Sequence, residues 1–175
     1  DIQKIITETL DSMNIYIREQ MQNYHPVLLS KLTVKENYQN LLAYIAQSFP
    51  ERHISVVFDC PDSLFIVPPY DIFIYRLLKE LVTNVYKHST GEKAWITLTQ
   101  DNGMIVLCVK DNGSADADSL TCADSSKHKG LALSTDRVHS MDGTVSISQN
   151  FPHGICVCIN LPMKGDASYQ YFISR

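Results

Sequence analysis

Runs of basic residues are missing from this 175-residue chain. No stretch of Lys and Arg exceeds two, and 15 Lys+Arg against 19 Asp+Glu leave a net charge of −4. A nucleic-acid backbone calls for a basic patch to replace its counterions, so nucleic acid is excluded as the main partner. No apolar run approaches the roughly 18 residues that a membrane-spanning helix requires, and nothing resembles a signal peptide. No direct membrane contact is therefore expected of this stretch. An initiating Met is also lacking, and the chain begins inside a helical pattern. It reads as a cytoplasmic fragment of a longer parent, whose other parts are free to span a membrane. A cysteine framework is absent as well. Cys60, Cys108 and Cys122 stand alone, while Cys156 and Cys158 form a C-x-C on a predicted strand and so share one face. Reduced, ordinary thiols are the expectation, rather than a zinc or redox centre.

What is present is 45% hydrophobic content, enough for one ordinary core plus an appendage. Residues 2–24 place Ile2, Ile6, Leu10, Met13, Ile17, Met21 and Tyr24 at steps of 3 and 4, a narrow apolar stripe of the coiled-coil or bundle kind. His25-Pro26 ends that helix. Such a helix calls for a partner, either its own copy in a homodimer or the chain's own globular part. A second helix is predicted over 34–49, and 54–60 opens a strand. Pro61 and Pro68-Pro69 bracket an irregular connection, and a long helix follows over 70–89. The runs 94–99 and 104–110 read as a hairpin turned by Asp101-Asn102-Gly103. Residues 112–129 lack periodicity and are read as a closing lid, because so long an irregular segment inside a compact unit points to function. A helix over 131–141 and strands over 144–148 and 155–161 complete the series.

Strand parity adds the faces. Ile96, Leu98, Ile105, Leu107, Val109, Val145, Ile147, Ile155, Val157, Ile159 and Leu161 fall on one side; Thr97, Thr99, Thr144, Ser146, Ser148 and Asn160 fall on the other. This predicts a mostly antiparallel sheet with helices on one face, a two-layer α/β sandwich. Asp111 continues the inward parity of Ile105, Leu107 and Val109 and is expected to point at the helical layer.

The stretch 76–89, RLLKELVTNVYKHS, stacks Glu80, Asn84 and His88 at i, i+4 and i+8 along one side of its helix. A solvated face is the plain reading of such a row. Two elements downstream favour a magnesium–ATP site instead: the Asp111-Asn112-Gly113 turn and, after the lid, Lys129-Gly130-Leu131. An inward carboxylate suits an adenine amino group, and Gly113 lets the backbone come close to a base. The Asn84 amide oxygen suits magnesium, which takes few protein ligands. Glu80, one turn earlier, is placed to accept a proton from an attacking nucleophile. Lys87 and His88 are positioned to meet phosphates, as are the N–H groups around Lys129-Gly130 ahead of a helix.

These residues resemble the catalytic end of bacterial two-component sensor histidine kinases, in the GHKL (Bergerat-fold) ATPase superfamily, of the type paired with nitrate/nitrite-class response regulators. The N-box is matched by Glu80-Leu81-Val82-Thr83-Asn84-Val85-Tyr86-Lys87-His88-Ser89, and the glycine boxes by Asp111-Asn112-Gly113 and Lys129-Gly130-Leu131-Ala132-Leu133. Asp136-Arg137-Val138 up to Asp142-Gly143-Thr144 resembles the helix and turn after the lid, and His153-Gly154 the last glycine turn. Tyr24-His25-Pro26 with Leu28-Leu29 is similar to the second helix of a dimerisation domain.

The resemblance implies a Bergerat sandwich over 31–163, preceded by a dimerisation helix within 1–30 and followed by a tail, 164–175. It also implies ATP and magnesium as cofactors, an ATP site that includes Gly154, and γ-phosphate transfer to a histidine. A response regulator, the parent's own phospho-accepting helix and a homodimer through residues 2–24 are the implied partners. Three positions depart from the family pattern: Ala115 and His128 stand where glycines are usual, and Ile155 where a threonine often follows the last glycine. No acceptor histidine in its usual helical context is present, so this stretch by itself is expected not to autophosphorylate. A degenerate ATPase-like module that works through dimerisation or binding is the alternative. A serine kinase of the anti-sigma type shares the fold and N-box, but the helix at 2–24 argues against it.

Overall fold

The chain divides into two units, Asp1–Thr33 and Val34–Arg175. The computed structural model describes residues 32–115 and 129–163, with the backbone alone for 129–134. The predicted helix at 2–24, the body of the predicted lid at 116–128 and the tail at 164–175 lie outside the described residues. Within the second unit the elements are α1 (Val34–Ser48), β1 (Ser55–Asp59), α2 (Tyr70–His88), β2 (Lys93–Asp101), β3 (Met104–Asp111), α3 (Lys129–Ser140), β4 (Thr144–Gln149) and β5 (Ile155–Pro162).

The strands form one five-stranded sheet in the order β1-β2-β3-β5-β4. Only β1 and β2 run parallel; the other three pairings are antiparallel. The hairpin between β2 and β3 turns on Asn102 (φ 49°) and Gly103 (φ 75°), two consecutive positive-φ residues of the kind a tight hairpin needs. That turn fixes the register, and the register fixes the faces. Ile96, Leu98, Ile105, Leu107, Val109, Ile155, Val157, Ile159 and Leu161 are buried on the inner face, as their parity predicts. Val145 and Ile147 share that parity but lie on the edge strand β4 and are only partly buried. The opposite face carries Thr97, Thr99, Val106, Cys108, Cys158 and Asn160, all half-buried.

Helices α1 and α2 complete the core. Tyr38, Leu41, Leu42 and Ile45 recur at helical spacing and are buried. In α2 the buried set is Tyr70, Ile74, Tyr75, Leu77, Leu78, Leu81, Val82, Val85 and Tyr86, wide enough to meet both α1 and the sheet. Phe49 stacks on Tyr86 with ring centroids 5.5 Å apart. Asp71 in the first turn of α2 and Lys87 and His88 in its last suit the helix dipole at each end. After α3, Gly143 donates its N–H to the Val138 carbonyl (2.9 Å), and Asp142 takes φ 58°, which closes the helix and turns the chain into β4. A two-layer α/β sandwich with a mixed, mostly antiparallel sheet is thus observed.

Two expectations need correction. The structure records a disulfide between Cys108 and Cys158, whereas reduced and unrelated thiols were expected there. The cause is tertiary: pairing of β3 with β5 sets these residues opposite each other, with Cα atoms 4.1 Å apart. Their sequence separation of 50 hides this from any local reading. The second correction concerns α3, which was expected to begin at 131, beyond Lys129-Gly130. It begins at Lys129, so these two residues form its first turn. Glycine is poor in helix interiors but tolerable in a first turn, where the N–H groups have no intrahelical partner.

Candidate functional site

The inner face of β3 ends at Asp111, which is 6% exposed and continues a series of buried apolar residues. A buried carboxylate must be hydrogen-bonded, and two donors meet it. The Ser89 hydroxyl donates to Asp111 Oδ1 at 2.7 Å, and the Gly113 N–H donates to the same oxygen at 2.7 Å. Both bonds converge on Oδ1, which leaves Oδ2 as the oxygen available to an incoming donor.

Ser89 is held in turn. It is the C-cap of α2, in extended conformation, with its N–H on the Val85 carbonyl at 2.9 Å. Its hydroxyl oxygen accepts the Gly91 N–H at 3.0 Å, and Arg52 donates to its carbonyl. The segment after α2 is then laced to the segment after β3. Asn112 Oδ1 accepts the N–H groups of Glu92 (3.1 Å) and Lys93 (2.8 Å). Thr90 Oγ1 accepts the Ser114 N–H at 2.8 Å. The carboxylate therefore sits in a preformed cradle.

The turn before β5 closes the other side. Asn150 donates from Nδ2 to the Asp111 carbonyl at 2.8 Å. Gly154 takes φ 111°, and a Cβ there would lie 1.9 Å from the Asp111 carbonyl oxygen. Only glycine fits. Gly113 is also tight, since a Cβ would come within 2.5 Å of Ser89 Oγ and 2.8 Å of Asp111 Oδ1. The sequence expectation that Asp111 points inward agrees with this geometry, and the close approaches at both glycines are to the protein's own Ser89 and Asp111. Ile155, at the position where a hydroxyl was looked for, is buried and adds no polar group.

On α2, Glu80 and Asn84 are half-buried, while Lys87 and His88 are exposed. Asn84 donates from Nδ2 toward Glu80 Oε1 at 3.4 Å, a long contact that turns the amide carbonyl oxygen away from the carboxylate. That oxygen is the kind of donor a hard divalent cation takes. No cluster of three or more His, Cys, Asp or Glu able to hold a metal occurs among the described residues. An amide oxygen beside one carboxylate fits a hard cation that takes few protein ligands, and it does not fit an all-protein cage. From Ser89, Asn84 lies about 7.5 Å and Glu80 about 13.5 Å back along the helix axis, taking 1.5 Å per residue. Lys129, Gly130 and Leu131 occupy the first turn of α3, where backbone N–H groups are unpaired within the helix.

Sequence reasoning missed Ser89, Asn150 and Arg52 as parts of this cradle. Ser89 was visible only as the last residue of the N-box match. Its link to Asp111 spans 22 positions and that of Asn150 spans 39, with no local pattern to announce either.

Comparison with known proteins agrees with the geometry. The family described as histidine kinase-, DNA gyrase B- and HSP90-like ATPase matches residues 70–165. The sensor histidine kinase NarS of Mycobacterium tuberculosis is 29% identical over 156 residues, covering 89% of this chain and 35% of that protein. The signal transduction histidine-protein kinase/phosphatase DegS of Bacillus subtilis is 29% identical over 101 residues, covering 57% of this chain and 26% of that protein. The nitrate/nitrite sensor protein NarX of Escherichia coli is 27% identical over 101 residues, 57% of this chain and 16% of that protein. The chain thus spans about a third or less of the length of these relatives. Among solved structures, the blue-light activated histidine kinase of Erythrobacter litoralis EL346 superposes with a TM-score of 0.61 at 16% identity, over 75% of this chain and 46% of that one. The Acinetobacter baumannii histidine kinase AdeS superposes with a TM-score of 0.52 at 15% identity, over 92% of this chain and 83% of that one. At these identities the superpositions establish the fold. Among the described residues, no helix is long and apolar enough to cross a membrane.

Proposed function

Because the chain belongs to the family of histidine kinase-, DNA gyrase B- and HSP90-like ATPases, we propose that it is the ATP-binding kinase module of a two-component sensor histidine kinase. It transfers the γ-phosphoryl group of ATP to a histidine on a dimerisation helix, for relay to a response regulator. The observation that carries this reading is Asp111: a buried carboxylate with Oδ1 fixed by Ser89 and Gly113 and Oδ2 open to a donor.

In this reading the adenine amino group donates to Asp111 Oδ2. Gly113 and Gly154 keep the backbone packed around the carboxylate, since a side chain at either would displace Ser89 or the Asp111 backbone. The Asn84 amide oxygen and the phosphates hold magnesium, which when bound neutralises charge on the phosphate chain. Lys87, His88 and the first turn of α3 at Lys129, Gly130 and Leu131 face the phosphates with charge and free N–H groups. Glu80 takes the proton that the acceptor imidazole loses. Residues 2–24 join two copies, with the phospho-accepting helix of the parent completing a four-helix bundle.

Binding and chemistry separate on α2. With the acceptor helix supplied as a peptide, Glu80→Gln is expected to keep ATP affinity while slowing acid-labile phosphate formation by at least about 100-fold. Asn84→Asp is expected to weaken magnesium-dependent ATP binding. Equal loss of binding in both variants would remove Glu80 as base, and no labelling of any acceptor helix by the unaltered chain would remove the kinase reading. The second reading, a degenerate module with weak nucleotide binding, draws on the departures at Ala115, His128 and Ile155, of which buried Ile155 supplies no hydroxyl.

A further inference from the structure

The outer face of the sheet carries three cysteines that the ATP site does not use. Cys108 and Cys158 are bonded across β3 and β5. Cys156, two residues along β5 on the same face, is a free thiol whose Sγ lies 3.7 Å from Cys158 Sγ. That is sulfur–sulfur contact distance, close to the separation from which bond exchange begins. All three side chains are half-exposed, so a small reagent can reach them. Their cross-strand neighbours are small or charged: Ser146 stands opposite Cys158, and Ser148 and Lys110 stand opposite Cys156. Cys60 is the internal contrast, buried in the core with its thiol pushed up by burial.

We propose that Cys108, Cys156 and Cys158 form a thiol–disulfide exchange site for low-molecular-weight thiols and their disulfides, with Cys156 as the attacking thiol. In the opening step the Cys156 thiolate attacks Cys158 Sγ. A Cys156–Cys158 bond forms, the Cys108–Cys158 bond breaks, and the electron pair leaves on Cys108 as a thiolate that takes a proton from water. An external thiolate then attacks Cys156, forming a mixed disulfide there and releasing Cys158 as a thiolate. A second external thiolate removes the first as a small disulfide and returns Cys156 to the thiolate. The balance is one protein disulfide plus two small thiols giving two protein thiols plus one small disulfide, a two-electron exchange. Run in reverse, a small disulfide oxidises the pair.

Strand geometry makes Cys156–Cys158 the intermediate rather than the resting bond. Two residues along a strand lie about 6.6 Å apart at Cα, near the far end of the usual range for a disulfide. The facing pair, at 4.1 Å, lies just below the usual range of about 4.4–6.8 Å and so has no gap to stretch across. Proximity is what Cys156 contributes: an adjacent thiol acts at a far higher effective concentration than a dissolved one.

The test uses the full 175-residue chain in glutathione buffers of fixed ratio, with acid quenching, alkylation and peptide mass mapping of each cysteine. Cys108 and Cys158 are expected to interconvert together between free and bonded states while Cys60 stays free. Cys156→Ser and Cys156→Ala, each checked for an unchanged thermal melt, are expected to slow that interconversion by at least roughly tenfold. In Cys158→Ser, glutathione is expected to be trapped on Cys156. Equal rates with and without Cys156 would overturn the proposal, as would a Cys108–Cys158 bond that neither opens nor forms in glutathione while the chain remains folded.

Discussion

The two faces of the central sheet differ in what they hold and in how firmly they hold it. On β3 the inward positions Ile105, Leu107, Val109 and Asp111 are all buried, and the outward positions Val106, Cys108 and Lys110 are half-buried or exposed. The inward series is apolar until its last member, which is a carboxylate caught between Ser89 and Gly113. The outward series carries a sulfur bonded across to the next strand. Alternation with a period of two lets a single strand serve two chemistries whose side chains never meet. A substitution on one face is therefore expected to leave the other largely alone.

The largest effect is expected at Gly154, where the turn and the inner-face carboxylate meet. Gly154→Ala has to place a methyl group where the Asp111 carbonyl already stands and to hold φ at 111°. A loss of about 3–5 kcal/mol in stability follows, together with loss of nucleotide binding, both readable from denaturant unfolding and calorimetry. A normal melt would mean that the close approach is not a constraint. Leu107→Ala, at a fully buried inner position, is expected to cost about 2–5 kcal/mol in denaturant unfolding. Cysteine chemistry on the outer face should still map to the same residues in the fraction that stays folded.

Ser89→Ala sharpens the comparison, because it acts on the site more than on the core. Removing the hydroxyl takes one of two donors from Asp111 Oδ1 and one acceptor from the Gly91 N–H. A cost of about 1–3 kcal/mol in ATP affinity is expected, with rescue by Ser89→Thr if the hydroxyl is what matters. Equal loss in both variants would point to packing instead. At the small end, Thr97→Ala on the outer face is expected to change stability by no more than about 0.5 kcal/mol, since Thr97 is half-buried on a face open to solvent.

This contrast also explains what the sequence could and could not tell. Inward parity through Asp111, the Asn102-Gly103 turn and the Glu80–Asn84 stripe are periodic or short-range signals, and each was readable from the residues alone. The Ser89–Asp111 bond, the Asn150 cap and the Cys108–Cys158 bridge depend on which strand lies beside which. Their separations of 22, 39 and 50 positions leave no periodic trace. The start of α3 differs because Lys129-Gly130 was read as the approach to the helix, while the first turn of a helix tolerates glycine. Pairing through residues 2–24 and closure by the segment 112–129 rest on sequence pattern, and residues 2–24 and 116–128 lie outside the described residues.

Donation of the adenine amino group to Asp111 is tested most directly by calorimetry of ATP with magnesium on the unaltered chain and on Asp111→Asn. The amide replaces an all-acceptor carboxylate with a group that is half donor, so affinity is expected to fall by about 1–3 kcal/mol, roughly 5- to 150-fold, while the thermal melt stays within a few degrees. Equal ATP affinity in the two proteins, with both folded, would contradict the assignment and remove Asp111 from the site.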